Sequence, residues 1–410
     1  MDTDVKLKLR PLLLMKTSVE GKDYIVAQDQ SGESQPVLLP MQLEQFLMLL
    51  DGKNTLRDIQ VELTRSTGGQ LVPIDEISKI ADELDAHMLL DSPRYRETAA
   101  LDERFWNQWR LRKPFHAGQA YPAEPEELNA MIDELYRKAG AGGEAEGGAT
   151  APFVRGLLAP HIDVKSGGPV FAIAYDALRK APPAELYVLL GTAHKYSPGP
   201  FSVTRKDYVT PIGILETDND FVDRLLSRYS PPWITDDVVH RTEHSIEFQT
   251  IFLKHLLGGD SDAKVVPILV GGFGEFVNER LSPYDDEEVR GFIDALREVI
   301  DEDERKVVFI VGGDLAHIGP RYGDTDAALP TDIEDCKKKD AEMLEEAAKG
   351  AEEFFNYVAR ENDRRNICGM PPLYTMLKLI EGASGEIIKV DHWYDQATRS
   401  AVTFAAMTFG

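Results

Sequence analysis

The feature that most constrains the fold is an alternation of short, continuous apolar runs with amphipathic segments of helical period, beginning at residue 154. The apolar runs cover residues 154–159, 186–190, 265–270, 307–311, 387–390 and 401–409. The helical segments cover residues 170–180, 221–229, 246–257, 287–300, 336–349 and 373–380. Strands that are apolar on both faces and alternate with helices are typical of a mostly parallel sheet covered by helices on both faces. This part of the sequence therefore predicts an α/β domain.

The first hundred residues follow a different pattern. Two apolar segments, residues 5–16 and 24–30, flank a turn-like stretch at residues 20–23 and predict a β-hairpin. Apolar side chains at helical spacing then predict three helices. These cover residues 41–50, 55–67 and 74–89. We therefore expect a small α+β domain ahead of the α/β domain.

The domain boundaries follow from these two patterns. We assign residues 1–98 to the small domain, 99–112 to a linker and 113–410 to the α/β domain. Residues 94–112 are charged and polar, which favours a connecting segment. Residues 139–150 are rich in glycine and alanine without apolar periodicity, which predicts a loop inside the second domain.

The small domain resembles the PqqD-like winged-helix domain. The resemblance rests on the order of strands and helices, on residues 49–59 (LLDGKNTLRDI) and on the later run at residues 88–90 (MLL). In that family the domain holds a peptide by adding it as a strand to the sheet edge, so the resemblance implies a peptide ligand. A DNA-binding winged helix is the alternative, and the scarcity of lysine and arginine in residues 74–91 argues against it.

Composition limits the partners and the compartment. The formal net charge of −25 argues against a nucleic-acid partner, which needs clustered lysine and arginine to displace counterions. The first residues lack a basic segment followed by an apolar run, and no stretch approaches the ~18 uncharged apolar residues of a membrane helix. The two cysteines, Cys336 and Cys368, cannot form a disulfide framework and suit a reducing cytosol. We expect a cytoplasmic protein without a membrane or nucleic-acid partner.

Candidate functional residues follow the predicted strands, because open α/β sheets bind ligands beyond the carboxyl ends of their strands. His161 follows the first apolar run, His194 follows the second, and Asp314 and His317 follow the fourth. A single histidine in such a place is more often a structural hydrogen-bonding group. Imidazole and carboxylate groups converging from separate strands are a common way to assemble a transition-metal site. The recurrence at three strand ends favours such a site here.

His244 is a further candidate at a predicted helix N-terminus. It lies between Glu243 and Ser245, directly before the helical segment at residues 246–257. Backbone amides and the helix dipole favour anionic groups at this place. Plain capping of the helix by Ser245 or Thr242 is the alternative.

Cys368 is the second further candidate. It precedes a helix predicted to start near Pro372. A thiol in this setting can have a depressed pKa and act as a metal ligand or nucleophile, or it can be a small buried apolar group. Cys336 has no such setting, and we assign it no role.

Six short motifs follow one another between residues 112 and 410. They are His116-Ala117-Gly118 with Tyr121, Ala159-Pro160-His161, Leu190-Gly191-Thr192-Ala193-His194, Glu243-His244-Ser245-Ile246-Glu247, Gly313-Asp314-Leu315-Ala316-His317 and Ile367-Cys368-Gly369. In order and spacing they resemble the MEMO family, whose prokaryotic members are called AmmeMemoRadiSam system protein B. The resemblance implies a fold related to the class III extradiol ring-cleaving dioxygenases, which hold iron(II) with two histidines and a carboxylate.

The resemblance also implies roles for individual residues. His161 and His194 correspond to the family's two metal-binding histidines, and Cys368 corresponds to its metal-binding cysteine. Asp314 and His317 match residues that line the same pocket, and His317 resembles an acid/base catalyst of the dioxygenases. Cys368 stands where their carboxylate ligand would be, so ring cleavage is not supported. The implied cofactor is a divalent transition metal, with iron as the first choice and copper or zinc as alternatives.

The sequence departs from the family pattern around these motifs. Residues 162–168 read IDVKSGG where family members generally have Ala-Gly-Tyr and a second aromatic residue. Lys195 replaces the second histidine of a His-His pair, and Gly313 replaces a common serine. Lys165 and Lys195 would make the mouth of the site more basic, and the family substrate is therefore not assumed for this chain.

Two functional hypotheses follow. The first is a redox or hydrolytic metalloenzyme in which Asp314, His317 or His244 supplies the catalytic groups beside the metal. The second is a binding or metal-handling protein without turnover. For the second, the family name implies a radical-SAM protein and an AMMECR-type protein as partners, with the N-terminal domain delivering a peptide. The remaining alternative is purely structural, with histidines bonding to loop carbonyls and Asp314 and Glu243 acting as helix caps.

Overall fold

The computed structural model describes residues 3–19, 21–29, 36–142, 152–195, 197–259 and 261–410. Within it the chain forms two compact units, Met1–Trp109 and Arg110–Gly410. In the described part of the chain, no helix is long and apolar enough to cross a membrane. Most of the predicted glycine- and alanine-rich loop, residues 143–150, lies outside the described residues.

The first unit combines a small antiparallel sheet with helices. Its elements are β1 (Lys6–Lys8), β2 (Leu12–Val19), β3 (Lys22–Asp29), β4 (Val37–Pro40), α1 (Glu44–Met48), β5 (Asp51–Thr55), α2 (Leu56–Ser66), α3 (Ile74–Ala86) and α4 (Pro93–Gln108). The predicted hairpin is present as β2 and β3, in which Val19 pairs with Lys22. β4 adds to β3, and β1 pairs separately with β5. Ile25, Leu56 and Ile77 lie in the core that joins this sheet to the helices.

One prediction for the first unit needs correction. The helix expected at residues 41–50 is a short 3-10 turn followed by the five-residue helix α1. Most of the connecting segment expected at residues 94–112 is the helix α4, and its role as a connection stays a prediction. The local signal for α4 is the cap, because the Ser92 side chain accepts a hydrogen bond from the Tyr95 amide and Pro93 occupies the first turn.

The second unit contains the large sheet. Its elements are β6 (Leu111–Arg112), α5 (Pro125–Lys138), β7 (Gly156–Ala159), α6 (Val164–Lys180), β8 (Leu186–Thr192), β9 (Phe201–Val203), β10 (Asp207–Thr210), β11 (Gly213–Leu215), α7 (Asn219–Arg228), α8 (His244–Leu257), β12 (Lys264–Val270), α9 (Gly274–Glu279), α10 (Glu287–Asp301), β13 (Val307–Gly312), β14 (His317–Ile318), α11 (Pro330–Ala347), α12 (Ala351–Arg360), α13 (Met370–Leu379), β15 (Gly385–Asp395) and β16 (Ser400–Phe409).

The large sheet is mixed, which corrects the prediction of a mostly parallel sheet. Its four central strands, in the order β7-β13-β8-β12, are parallel. β9 pairs antiparallel with β12 at one side, and β16 pairs antiparallel with β7 at the other. β14 and β15 both pair antiparallel with β16. The chain between β15 and β16 is too short for the helical crossover that parallel neighbours require, so these two strands form a hairpin.

Helices cover both faces of the sheet, as the continuous apolar runs predict. Along β8, Leu186, Val188 and Leu190 belong to the core on one face. Tyr187 and Leu189 belong to the core on the other face. All five side chains are buried, because successive residues of a strand point to opposite faces and each face is covered.

The register of the central strands positions the candidate site. Gly312 of β13 pairs with Ala159 of β7 on one side and with Gly191 of β8 on the other. Three strands therefore end at the same level. The two glycines also let the start of α8 approach this edge, because a Cβ on Gly191 would lie 2.5 Å from Ser245 Oγ and a Cβ on Gly312 would meet the Ser245 carbonyl oxygen.

Candidate metal centre

Three predicted ligands come together at this edge of the sheet. The ring centroids of His161 and His194 lie 4.9 Å apart. Cys368 Sγ lies 3.0 Å from His161 Nε2. One ligand atom from each of the three residues lies within 4.8 Å of the other two. The proximity is thus a structural finding, whereas metal binding stays a prediction.

His161 is held by the neighbouring strand. It lies two residues beyond β7, its ring is buried, and its Nδ1 donates to the Gly312 carbonyl oxygen at 2.8 Å. This hydrogen bond leaves the lone pair on Nε2, which is the nitrogen beside Cys368 Sγ. Burial, with the His194 and His244 rings nearby, holds the pKa of His161 well below its usual value. The imidazole is therefore neutral, the form that binds metals.

Glu243 holds His194 in a similar way. Its carboxylate accepts hydrogen bonds from His194 Nδ1 and from the His194 amide, each at 3.0 Å. The same carboxylate caps α8 by accepting from the His244 and Ser245 amides. The cap is thus Glu243, as the purely structural alternative has it, and not Ser245 or Thr242. A carboxylate on the far nitrogen of a histidine is the usual support for a metal-binding imidazole, because it fixes the ring and the tautomer.

The electrostatics of this pair follow from its burial. Burial alone would raise the pKa of Glu243, but the His194 and His244 rings and their hydrogen bonds hold it well below the usual range. Burial alone would lower the pKa of His194, but the Glu243 carboxylate outweighs it, and the net pKa is raised. Glu243 is therefore an ionised group that supports His194 from inside the protein.

Asp314, in the loop after β13, and His317, at the start of β14, line the same site. Asp314 is 2% exposed, its Oδ1 accepts from the His161 amide at 2.9 Å, and its Oδ2 lies 3.7 Å from His161 Nε2. Burial raises the pKa of Asp314 to about 7. His317 Nδ1 donates to the carbonyl oxygens of Leu315 and Asn366, and burial lowers the pKa of His317 to about 4. Asp314, His317 and Cys368 form a second group of ligand atoms within 4.8 Å of one another.

Cys368 reaches the site from the segment before α13. Its carbonyl oxygen accepts from Thr192 Oγ1 at 2.8 Å, and the next amide, of Gly369, donates to the Asp314 carbonyl oxygen at 2.9 Å. Burial, with Asp314 close by, raises the pKa of the Cys368 thiol well above its usual value. Of the two alternatives for Cys368, the free thiol therefore fits the buried group and not the one with a depressed pKa, because desolvation outweighs the nearby helix start. A bound cation would reverse this balance.

His244 packs against the two histidine ligands, but it is not one of the three proposed metal ligands. Its ring stacks on His194, with centroids 4.7 Å apart, and its Nδ1 lies 3.1 Å from Glu243 Oε1. With His194 and Glu243 it forms the third group of ligand atoms within 4.8 Å. The rings of His116 and Phe248 lie on its other sides.

The structure adds a buried ion pair to which the sequence reasoning gave no role. The Arg112 guanidinium pairs with the Glu247 carboxylate, and both side chains are almost completely buried. Arg112 also donates to the carbonyl oxygens of His240 and Glu243, at 3.0 and 2.9 Å. This pair therefore anchors the start of α8, where Glu243 holds His194.

Glu247 also holds the motif that begins at His116. It accepts hydrogen bonds from the His116 amide at 2.8 Å and from the Tyr121 hydroxyl. The sequence does indicate that Glu247 has a buried partner, because it lies on the apolar helix α8 and a buried carboxylate requires such a partner. The identity of that partner, Arg112, could not be read from the sequence because it lies 135 residues away.

The two lysines predicted to make the mouth basic both contact loops of the second unit. Lys165 Nζ donates to the Gln119 carbonyl oxygen at 3.2 Å. Lys195 Nζ donates to Thr242 Oγ1, next to Glu243. These contacts tie the start of α6 and the loop after β8 to neighbouring segments, and the effect of the lysines on a substrate stays a prediction.

The donor set fits a transition metal. Metal–nitrogen distances of about 2.0–2.1 Å and a metal–sulfur distance of about 2.3 Å allow two ligand atoms on one ion to lie at most about 4.4 Å apart. The atoms of His161, His194 and Cys368 are already within 4.8 Å of one another. The far nitrogen of each histidine has an oxygen partner, as metal-binding histidines usually do. Fold and site thus define an α/β protein with a candidate histidine–cysteine metal centre.

Comparison with known proteins gives the family. The family model described as Memo-like protein matches residues 112–408. A MEMO1 family protein of Aquifex aeolicus (strain VF5) is 30% identical over 391 residues, which cover 94% of this chain and 96% of that protein. The chain belongs to the Memo-like family.

Two further relatives differ in how much of this chain they match. MEMO1 family protein TTHA0924 of Thermus thermophilus is 29% identical over 348 residues, which cover 85% of this chain and 97% of that protein. MEMO1 family protein MK0963 of Methanopyrus kandleri is 29% identical over 289 residues, which cover 68% of this chain and 90% of that protein. The Aquifex and Thermus alignments are longer than the second unit, so they extend into the first unit.

Proposed function

We propose that this protein binds one transition-metal ion through His161, His194 and Cys368. The observation that supports the proposal most directly is the convergence of two imidazole nitrogens and one thiol sulfur within 4.8 Å. Each histidine is also held through its other nitrogen, by the Gly312 carbonyl oxygen or the Glu243 carboxylate. A structural role alone does not require three such groups to face one another.

The donor chemistry narrows the choice of metal. Two imidazoles and a thiolate suit iron, copper or zinc, and they do not suit magnesium or calcium, which prefer oxygen ligands. Iron is our first choice because the fold is proposed to be related to that of the class III extradiol dioxygenases. The thiolate replaces the carboxylate ligand of those enzymes, so we do not propose ring cleavage.

The residues around the ligands support metal-dependent redox or hydrolytic chemistry. A bound ion would supply Lewis acidity or electron transfer. Asp314, with a pKa of about 7, can hold or release a proton near neutral pH beside His161 Nε2. The neutral His317 and the ring of His244 are the other groups placed to move protons at this site.

The test is metal content after anaerobic purification. We expect about one equivalent of iron, copper or zinc in the wild type and almost none in the His161→Ala/His194→Ala double variant. His255→Ala is the matched control, because this histidine pairs with Asp133 and lies in none of the three groups of ligand atoms. Equal metal content in the wild type and the double variant would contradict the proposal.

The cysteine gives an independent arm of the same test. Cys368→Ser removes the sulfur ligand, whereas Cys336→Ser removes the other cysteine, which is buried on α11 in the core on one face of the sheet. We expect only Cys368→Ser to lower the metal content. The same loss in both variants would indicate general destabilisation.

A second candidate function is metal handling or partner binding without turnover, with a radical-SAM protein and an AMMECR-type protein as cytoplasmic partners. The first unit favours this possibility. Its edge strand β2 exposes Leu13, Leu14 and Met15, each more than 40%, and the unit is proposed to be PqqD-like and to bind a peptide at that edge.

The partner hypothesis is tested by pull-down with a co-expressed radical-SAM protein. The full-length chain is compared with a Leu13→Lys/Met15→Lys variant, which places charges on the exposed side of β2. We expect the variant to retain less partner than the wild type. Unchanged association would rule out delivery through β2 while leaving the metal proposal intact.

A further inference from the structure

Behind the candidate metal centre lies a buried carboxylate, Asp340, that contacts neither metal ligands nor solvent. It lies on α11 and is completely buried. One carboxylate oxygen accepts from the Arg365 guanidinium, and the other accepts from the Thr403 hydroxyl. Its two partners belong to different segments, the loop before α13 and the strand β16.

Thr403 connects Asp340 to the loop of Asp314 and His317. Its hydroxyl donates to Asp340 and accepts from the Ala316 amide at 2.8 Å. Its backbone accepts from the Leu315 amide at 2.8 Å and donates to the Ala316 carbonyl oxygen at 2.9 Å. The two residues between Asp314 and His317 are thus fixed to β16 by three hydrogen bonds, one of which depends on the Thr403 hydroxyl.

Arg365 connects the same carboxylate to the loop of Cys368. Its side chain is 6% exposed and also pairs with Glu361 at 2.7 Å. Arg365 lies three residues before Cys368, and its carbonyl oxygen accepts a hydrogen bond from the His317 amide at 2.7 Å. Between Arg365 and Cys368, the Asn366 carbonyl oxygen accepts a hydrogen bond from His317 Nδ1. The Arg365 side chain therefore anchors the segment that both holds His317 and carries Cys368.

The backbone of this segment needs such an anchor. Asn362, Asp363 and Asn366 all have φ near +50°, a left-handed conformation that L-residues adopt only at a cost in free energy. Strained backbone persists where the surroundings determine it fully, and it is frequent next to functional groups. A buried ion pair adds little net stability compared with well-packed apolar side chains, so stability alone gives no reason for this arrangement.

We propose that Asp340, Arg365 and Thr403 are positioning residues that set the separation between the Asp314–His317 loop and the Cys368 loop, and with it the geometry of the metal centre. The inference rests on the proposed metal binding. It assigns a role in the site to three residues that touch no ligand atom. The network does not take part in the chemistry; it acts through the backbone of the two loops.

Cobalt(II) is a suitable probe, because its absorption reports both coordination geometry and a bond to thiolate. The chain is titrated with cobalt(II) alone as wild type, Thr403→Val, Thr403→Ser and Asp340→Asn. Thr403→Val keeps the shape of the side chain and removes the hydroxyl, whereas Thr403→Ser keeps the hydroxyl. The control is Asp303→Asn, which alters an arginine-paired carboxylate with a 5% exposed side chain before β13, at the opposite end of that strand from the site.

We expect Thr403→Val and Asp340→Asn to weaken cobalt binding at least tenfold and to shift the ligand-field bands, because supporting residues of metal sites typically contribute about 10–100-fold in affinity. Thr403→Ser and Asp303→Asn should match the wild type. Wild-type affinity and spectra in Thr403→Val would overturn the positioning role. If Asp340→Asn does not fold, Thr403→Val, which loses a single hydroxyl, decides the question.

The two proposals fail in different ways. If the wild type develops no thiolate–cobalt band and Cys368→Ser binds cobalt equally well, the metal centre itself is refuted. If the wild type shows the band and Thr403→Val, Thr403→Ser and Asp303→Asn all behave like it, only the positioning role is refuted.

Discussion

The two ends of strand β13 carry aspartates whose side chains are little exposed and whose electrostatics are opposite. Asp303, just before the strand, pairs with Arg305 and Arg224. The hydrogen bonds from Arg305, with those from Arg224, hold its pKa well below the usual range. Asp314, just after the strand, accepts hydrogen bonds from backbone amides, and burial raises its pKa to about 7. Asp303 is thus paired with two arginines at one end of the strand, whereas Asp314 at the other end can exchange a proton near neutral pH.

This difference separates charged groups that are paired with one another from groups that could bind a ligand. At the amino end Arg305 also pairs with Asp218, so the charges there neutralise one another. At the carboxyl end the imidazoles, the thiol and the Asp314 carboxyl present ligand atoms to one another. Groups with perturbed pKa values that are not closed into ion pairs mark functional sites more reliably than burial alone.

The largest expected effect is at Glu243, where a structural and a functional role combine. Glu243→Ala removes the cap of α8 and the partner of His194 Nδ1. We expect a loss of about 1 kcal/mol in the free energy of unfolding from the missing cap. We also expect a 10–100-fold loss in metal affinity from the unsupported imidazole. Urea denaturation and metal titration measure the two effects separately.

The control for Glu243 is another helix cap, Asp286. It accepts from the Glu288 and Val289 amides at the start of α10, outside the three groups of ligand atoms. Asp286→Ala should lose a similar amount of stability and keep its metal affinity. Equal metal affinity in the two variants would mean that Glu243 is only a cap.

The next effect concerns the pH dependence of stability, with opposite signs for the two aspartates. The unfolded-state pKa is about 3.9 for both. Asp314 keeps its proton in the folded state up to about pH 7, so it lowers the stability of the folded protein progressively as the pH rises from about 4 to 7. Asp303 has a depressed folded-state pKa, so its contribution is present above about pH 4 and is lost as the pH falls further.

In the metal-free protein, the free energy of unfolding should fall by about 2 kcal/mol between pH 5 and pH 6.5 in the wild type. The Asp314→Asn variant should lack this decline. Asp303→Asn should instead flatten the loss of stability below pH 4. Urea denaturation of both variants over pH 3 to 8 measures these slopes. Parallel profiles for Asp314→Asn and the wild type would show that Asp314 is ionised throughout this range.

The sequence predicted the central strands of the fold because they are apolar on both faces and need no knowledge of their partners. It predicted neither the antiparallel strand β9 nor the small strands β10 and β11, because these are only three or four residues long. Pairing direction also depends on which strands become neighbours. Within the large sheet, the short connection between β15 and β16 is the one that reveals an antiparallel pair.

The candidate ligands His161 and His194 could be found from the sequence because each follows a strand end, and Cys368 because it precedes a predicted helix and matches the family cysteine. The groups that hold them could not, since their partners are distant in the chain. Asp340 lies 25 residues from Arg365 and 63 from Thr403. No local pattern relates such residues, and a buried aspartate in a charged helix looks like a solvated one until the structure places it in the core.

The smallest expected effect is that of replacing Asn366, the residue with left-handed backbone two positions before Cys368. Asn366 has φ +52°, and its Nδ2 donates to the His317 carbonyl oxygen over 3.4 Å. Asn366→Gly relieves the backbone strain but increases the freedom of the unfolded chain, and the two effects nearly cancel. We expect the free energy of unfolding to change by less than about 0.5 kcal/mol. Metal affinity should not change, because the carbonyl oxygen that accepts from His317 Nδ1 is retained.

The matched variant is Arg399→Gly, at a residue with the same φ in the exposed turn between β15 and β16. It should show an equally small change in stability, measured by urea denaturation, and no change in metal affinity. If Asn366→Gly weakened metal binding tenfold and Arg399→Gly did not, the asparagine side chain would itself be part of the support for Cys368. The carboxyl end of the sheet would then depend on local side-chain contacts as well as on the buried network of Asp340.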